Sequence, residues 1–420
     1  MGVLALSLVA GGFAAASPRS GDGAESGPPW LAPAFRATGA APSRPGAARP
    51  LPWAVGAEPA PRAPTPSPSP VAAAPRPPPC APAALEERAG RLLLVGLPEV
   101  TSPDDPLLAE VADVGVSGVL LTHTNVVGPR QVRALVGALR SAAGGALLVA
   151  VDEEPGRVRT FEELFGFVPS ARRLANERTP AEVRDLGRET GLFLSGLGVD
   201  VNFAPVADLD GGPREDTIGD RSFSADPGTA ADYALAYARG LRDAGVTPVV
   251  KHFPGRSDAA GDDHVGKSVA TTPLAELVES DVAPFRDLVD AGAPVVMMGN
   301  VVYEALDPAA PASMSPAAYG MLRDIGFEGV AITDSIGMGA VNLRWDYGEA
   351  TVKAVAAGAD GVLATDGWGA RWMRDALVDA VQSGRLSEAR LNDAAARMTA
   401  LAGGDPQALA CRPTDLPQLR

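Results

Sequence analysis

Histidine and cysteine are scarce in this chain, with three histidines and two cysteines in 420 residues. A zinc centre built from His and Cys ligands is therefore not expected, for want of donors. Positive charge is also short: 36 Lys and Arg stand against 51 Asp and Glu, a net charge of −15. That balance argues against nucleic acid or anionic membrane as a partner, because both select basic surfaces. The apolar stretch Val3 to Ala16 is too short to span a bilayer stably, so no integral membrane span is expected. It ends in the small-residue, cleavage-like Ala14-Ala15-Ala16-Ser17 but lacks the Lys or Arg that opens an export signal. No Cys follows it closely, so a lipid-anchored cysteine has no support. A Gly-rich GxGxxG turn is also missing after the first strand-like run, which removes the main support for a doubly wound nucleotide-binding sheet.

What is present divides the chain into four parts. Residues 1–17 form the signal-like apolar segment. Residues 18–84 are rich in Pro, Ala, Ser and Gly; Pro64-Thr65-Pro66-Ser67-Pro68 cannot build a helix or a packed sheet, so this part is expected to be a disordered linker. Residues 85–402 carry the globular pattern and 403–420 a tail. Hydrophobic content of 46% suffices for a large core. Apolar strand-like runs fall at Leu92–Val95, Gly118–Leu121, Ala146–Val151, Val199–Phe203, Val246–Val250, Pro294–Met298, Gly329–Ile332 and Gly361–Leu363. Helix-like stretches separate them, including Pro129–Arg140, Pro180–Leu194, Thr229–Ala244, Pro273–Ala291, Pro316–Ile325 and Tyr347–Ala357. Eight alternations predict an α/β fold, a single (β/α)8 TIM-type barrel. Pro248 fits the fifth run only if it lies near the strand's start.

Polar residues follow these runs in series: His123, Asp152, Asp208, Lys251 with His252, Asn300, Asp334 and Asp366. In a barrel such positions lie at the C-terminal face, where active sites form. The segment from Lys251 to His264 is the richest, holding two of the three histidines. A base, an acid and a carboxylate placed at strand ends are the groups that sugar-bond hydrolysis needs.

Lys251-His252-Phe253-Pro254-Gly255-Arg256-Ser257, followed by Asp262-Asp263-His264, resembles the signature of glycoside hydrolase family 3 in its bacterial β-N-acetylhexosaminidase branch. Asp152-Glu153-Glu154-Pro155-Gly156-Arg157-Val158, Val201 to Asp208, Ile218 to Phe223, Gly326 to Asp334, Ala357 to Asp360 and Ser383 to Ser387 resemble the same family, in order, over residues 85–402. The resemblance implies that Asp334 is the nucleophile of a retaining mechanism, attacking the anomeric carbon to form a glycosyl-enzyme. It makes His264 the general acid/base and Asp262 the partner that orients it. It assigns Asp152, Arg221, Lys251 and His252 to hydrogen bonds with the sugar hydroxyls.

Each residue also has a plainer interpretation. Asp334 can cap a helix starting at Ser335. His264 can be a bystander in an acidic loop that also holds Asp258 and Asp263. Arg221 can pair with Asp220 or Asp216, Lys251 can snorkel from a strand end, and Asp152 to Glu154 can form a solvated turn. The sequence departs from the branch pattern at several places: Arg256 stands where His is common, Ser257 for Gly, Asp263 for Ser or Thr, Pro155 for Gly, Thr160 beside Arg159 for a second Arg, and Asn300 for His. A purely metal-binding role for Asp262, Asp263 and His264 lacks a second His or Cys group, and no metal or cofactor is implied.

The family's β-glucosidases take their acid/base from a second domain. About twenty residues follow the last helical pattern here, which favours the His264 branch. The expectation is an exported, cell-wall-associated, monomeric exo-glycosidase that removes terminal β-linked N-acetylglucosamine from peptidoglycan or chitin fragments. A β-glucosidase or β-xylosidase of the same barrel, or a degenerate sugar-binding barrel, are the alternatives. Cys80 and Cys411 flank the barrel and pair as a disulfide if the protein is exported; two free or intermolecular thiols are the other possibility.

Overall fold

The computed structural model describes residues 80–420 except 211 and 257. The signal-like segment and nearly all of the linker expected at 18–84 lie outside the described residues. Eight parallel strands form the centre: β1 (Leu93–Gly96), β2 (Gly118–Leu121), β3 (Leu148–Val151), β4 (Val201–Asn202), β5 (Thr247–Phe253), β7 (Val295–Met298), β9 (Val330–Thr333) and β10 (Val362–Ala364). Their spatial order, β10-β1-β2-β3-β4-β5-β7-β9, follows the chain. A parallel bridge between Ile332 and Gly361, with Thr333 N–H donating to the Gly361 carbonyl at 3.0 Å, closes the ring. Two short strands, β6 (Val269–Ala270) and β8 (Val302–Tyr303), pair separately; the sequence pattern did not predict them.

All eight predicted runs are barrel strands, because a strand covered on both faces reads as a continuous apolar run. Side chains alternate faces with a period of two. Leu94, Leu120, Leu148, Ala150, Val249, Val295, Met297, Val330, Ile332 and Leu363 fill the barrel interior. Leu93, Val95, Val119, Leu121, Val149, Val151, Val296, Met298, Ala331 and Val362 face the surrounding helices. Pro248 is the second residue of β5 and pairs with Asn202. It stands at the strand's start, where its missing N–H is tolerated.

Helix starts follow proline. Pro129, Pro180, Pro227 and Pro316 each open a helix, where the absent N–H costs nothing. Thr179 and Glu182 complete a capping box, and Asp226 and Ser315 cap their helices. The helix expected at Thr229 therefore begins two residues earlier, at Pro227. The single helix expected over Pro273–Ala291 is two, Leu274–Glu279 and Ala283–Asp290. Pro284 explains the break: it fits the first turn of a helix but not its interior.

The tail is packed rather than free. After the helix Pro406–Ala410, the Arg420 N–H donates to the Ala291 carbonyl at 2.6 Å, and Arg239 Nε donates to the Arg420 carbonyl at 2.6 Å. Cys80 and Cys411 are bonded to each other with their Cα atoms 5.7 Å apart. No helix among the described residues is long and apolar enough to cross a membrane.

Candidate active site

The interior residues Leu120, Phe203, Met297 and Leu363 floor a pocket of about 600 Å³ at the C-terminal ends of the strands. Asp152, Arg221, Lys251, His252, Asp262, His264 and Asp334 all line it, so the structure gathers the seven catalytic and sugar-binding candidates around one cavity.

One wall is a buried ionic cluster. Lys251 Nζ lies 2.6 Å from Asp152 Oδ1 and 2.7 Å from Glu154 Oε1. Arg221 binds Glu154 in a bidentate pair, Nε to Oε2 at 2.9 Å and Nη2 to Oε1 at 2.8 Å. Burial alone would raise the Glu154 pKa, but Arg221 and Lys251 bring it down to about 2. Burial likewise works against the Lys251 charge, and Asp152 and Glu154 outweigh it, raising its pKa. Neither plainer interpretation fits these residues. Lys251 does not snorkel to solvent, and Arg221 pairs with Glu154 rather than Asp220, which holds Arg157 and Arg214 instead. Nor is the 152–154 turn solvated: Asp152 is half-buried, while Glu153 and Glu154 are buried, Glu153 against Arg159 at 2.7 Å.

His252 stands beside Lys251 in the same strand, yet both line the pocket. The pairing of β5 with β7 shifts register between Lys251 and Phe253, which breaks the alternation there. His252 Nδ1 lies 2.6 Å from Asp208 Oδ2, and its backbone N–H donates to Oδ1 at 3.2 Å. Asp208 is fully buried and therefore fixes the ring and leaves Nε2 as the nitrogen open to a ligand.

Asp334 follows β9 at the pocket's base. Its Oδ1 accepts the Ser335 N–H at 2.7 Å, while its own N–H donates to the Met298 carbonyl at 2.8 Å. It is not a helix cap, for the next helix is the short Gly339–Asn342, preceded by Met338. Burial raises the Asp334 pKa and the Asp263 carboxylate adds to this, against His252, the Ser335 N–H and Lys251, which lower it.

The opposite wall is the loop after β5. His264 Nδ1 lies 2.8 Å from Asp262 Oδ1, and its backbone N–H donates to the same oxygen at 3.0 Å. Those two hydrogen bonds hold the Asp262 pKa below the ordinary carboxylate value. The side chains are 61% and 49% exposed, so this pair faces solvent across the pocket from the buried cluster. Gly339 and Ala340 N–H groups donate to the His264 and Asp263 carbonyls at 2.9 and 3.0 Å, which ties the loop to the turn after Asp334. The loop's start needs Gly255, whose φ is +108° and where a Cβ would lie 2.6 Å from the Asp281 Cβ.

Other strand-end residues do not reach the pocket. His123 is exposed in a single turn, and Asp366 caps the Trp368 N–H at 3.0 Å. Asn300 is buried and donates to the Ser335 carbonyl at 2.9 Å, supporting the Asp334 turn from behind. Thr160 donates to the Asp152 carbonyl at 3.1 Å, and Arg159 is buried behind the wall. Sequence reasoning did not single out Glu154 and Arg157 as site residues, nor the Arg256–Asp263 ion pair at 2.6 Å; Asp208, named there only as a strand-end residue, is the buried partner of His252. The acidic run 152–154 was the one available signal for Glu154.

Comparisons with known proteins place the chain in a family. Residues 84–401 match the glycosyl hydrolase family 3 N-terminal domain. The β-hexosaminidase LpqI of Mycobacterium tuberculosis is 38% identical over 332 residues, covering 74% of this chain and 85% of that protein. A family GH3 glycosyl hydrolase from Mycobacterium smegmatis superposes with a TM-score of 0.70 at 39% identity, covering 76% of this chain and 97% of the other. A β-N-acetylhexosaminidase from Beutenbergia cavernae gives 0.71 at 30% identity, covering 76% and 98%. A (β/α)8 barrel with these residues at its mouth and a family match across nearly its whole length leave one conclusion: the chain belongs to glycosyl hydrolase family 3.

Proposed function

We propose that this chain hydrolyses terminal β-linked N-acetylglucosamine from cell-wall or chitin fragments with retention of configuration. The supporting observation is that a carboxylate at the pocket's base, a carboxylate-oriented imidazole and an ionic clamp line one pocket. Asp334 attacks the anomeric carbon while His264 Nε2 protonates the departing oxygen. Water, deprotonated by the same nitrogen, then releases the sugar from Asp334. Asp262 holds His264 Nδ1, so Nε2 is the nitrogen that exchanges protons. Lys251, Arg221, Asp152 and His252 bind the sugar hydroxyls with charge-assisted hydrogen bonds. The site is assembled within one chain, so a monomer suffices. The Cys80–Cys411 bond supports export to an oxidising compartment, with residues 85–402 as the catalytic unit.

The test is release of the leaving group from an aryl N-acetyl-β-glucosaminide, with product anomers followed by NMR, for the wild type and Asp334→Ala. Turnover with a β-anomer as first product, abolished in the variant, is the expected result. Sugar binding without turnover in the wild type would instead make the chain a degenerate binder, and preference for aryl glucosides or xylosides would move it to another specificity.

A further inference from the structure

The Arg256–Asp263 pair has no part in the reaction as proposed, yet it sits beside the group that moves protons. Arg256 Nη1 lies 2.6 Å from Asp263 Oδ2, with side chains 5% and 1% exposed. Both residues depart from the branch pattern, in which His is common at the first position and Ser or Thr stands at the second. An opposite-charge pair occupies the two places together. Only one carboxylate oxygen is used by Arg256. Asp263 Oδ1 is buried and, among the described residues, has no hydrogen-bond partner. Such an oxygen is costly to bury and calls for a reason.

The geometry around it supplies one. His264 Nδ1 is 3.6 Å from Asp263 Oδ1, just outside hydrogen-bond range, and 2.8 Å from Asp262 Oδ1. One ring nitrogen is flanked by two carboxylates of opposite character. Asp262 is half in solvent, where an ion pair is worth little. Asp263 is buried and pinned, where a charge-assisted hydrogen bond is stronger. The other charged or titratable groups on this pocket are Asp334, whose pKa Asp263 helps to raise, together with Asp152, Arg157, Glu215, Arg221, Lys251 and His252.

We infer that Asp263, held by Arg256, is a second positioning carboxylate for His264: it accepts the Nδ1–H when the ring turns from Asp262 into the pocket. The inference rests on the acid/base role proposed for His264. The Nδ1 proton stays on the ring throughout. Nε2 gives its proton to the glycosidic oxygen as that C–O bond breaks and Asp334 bonds the anomeric carbon, and it regains one from the attacking water. Asp263 touches neither substrate nor water in this scheme and acts through His264 alone.

A series of aryl N-acetyl-β-glucosaminides with leaving groups from good to poor tests this, because only poor leaving groups need protonation. His264→Ala is expected to lose turnover steeply toward the poor end. Asp263→Asn is expected to lose about tenfold in kcat there, with KM little changed and good leaving groups nearly unaffected. Asp262→Ala combined with Asp263→Asn should reproduce the His264→Ala slope. Asp263→Asn leaves Arg256 buried without its partner and risks misfolding. Arg256→Gln with Asp263→Asn removes both charges at once, carries the test if the single variant does not fold, and should show the same slope. If both follow the wild type across the series while His264→Ala does not, Asp263 is merely structural and the inference is overturned, with the proposed function intact. If His264→Ala also follows the wild type, the acid/base assignment fails and takes the inference with it.

Discussion

The two walls of the pocket are built on opposite principles. The clamp wall rises from strands β3 and β5 and the turn holding Arg221; its Lys251, Arg221 and Glu154 side chains are 3%, 9% and 1% exposed. The wall proposed for acid/base work is a loop whose Asp262–His264 pair is about half open to solvent. Rigid, desolvated charges suit ground-state recognition, since they keep one geometry and act through a low local dielectric. A proton carrier has a different task, because it must exchange protons with water between the two halves of the reaction. The loop is nevertheless fastened at one point, the buried Arg256–Asp263 pair, and by two backbone hydrogen bonds to the turn after Asp334. Asp334 lies where the walls meet and feels charges from both.

Asp334→Asn should have the largest effect and should act in opposite directions on activity and stability. Turnover is expected to fall on the order of 10⁴-fold, the loss typical of removing a covalent nucleophile, which is the role proposed for Asp334. The Asp334 pKa is raised in the folded state, so its contribution to stability is present below the ordinary carboxylate pKa and is lost as pH rises through the folded value. At neutral pH the ionised, buried carboxylate therefore weighs against folding. The neutral variant should melt higher at pH 7, with the gain vanishing in acid; thermal unfolding at pH 7 and pH 4 checks it.

Glu154→Gln should come next and should damage the clamp wall alone. It leaves Asp152, and for Arg221 also Asp208, to balance the Arg221 and Lys251 charges. Breaking a buried ionic cluster from one side costs about 3–5 kcal/mol. The Glu154 pKa is depressed from 4.5 to about 2, so the stabilisation it gives is complete above about pH 4.5 and fades as pH falls toward 2. Wild type and variant should differ most in unfolding midpoint at neutral pH and converge in strong acid. In kinetics KM should rise for every aryl glycoside alike, with no dependence on leaving group, since the role proposed for this wall is to bind sugar and move no proton. A leaving-group dependence in Glu154→Gln would break the distinction between the walls.

Which strand-end residues reach the pocket turns on a parity that the sequence already contains. Asp152 and Asp334 lie in phase with the interior residues Leu148 and Ala150, and Val330 and Ile332, so they point inward. His123, Asn300 and Asp366 lie out of phase and do not line the pocket, while Thr365, in phase with Leu363, does. Position after a strand was visible from apolar runs, but the facing direction needed this count. His252 escapes the count through the register shift, which no local pattern announced. The eight strands were legible because burial on both faces leaves continuous apolar runs, and most helix starts because proline marks them. The Glu154–Arg221 and Asp208–His252 contacts were not, since partners 67 and 44 residues apart meet only because β3, β4 and β5 lie side by side in the sheet.

The smallest effect on catalysis is expected at the far end of the molecule. Cys80 precedes β1 and Cys411 follows the last helix, so their bond ties the chain on the side opposite the pocket. A covalent link across 331 residues limits the unfolded chain far more than it shapes the folded one. Cys80→Ser with Cys411→Ser, or reduction of the wild type, should therefore lower stability by about 2–4 kcal/mol, read as a shift in denaturant midpoint. KM and kcat should not move for either good or poor leaving groups, because both walls are braced by strands and by local ion pairs rather than by the chain ends. If free-thiol titration of denatured, unreduced protein finds two thiols, the bond does not form in solution. A change in KM on reduction would instead mean that the clamp wall draws its rigidity from the whole barrel, and the local origin argued for it here would be wrong.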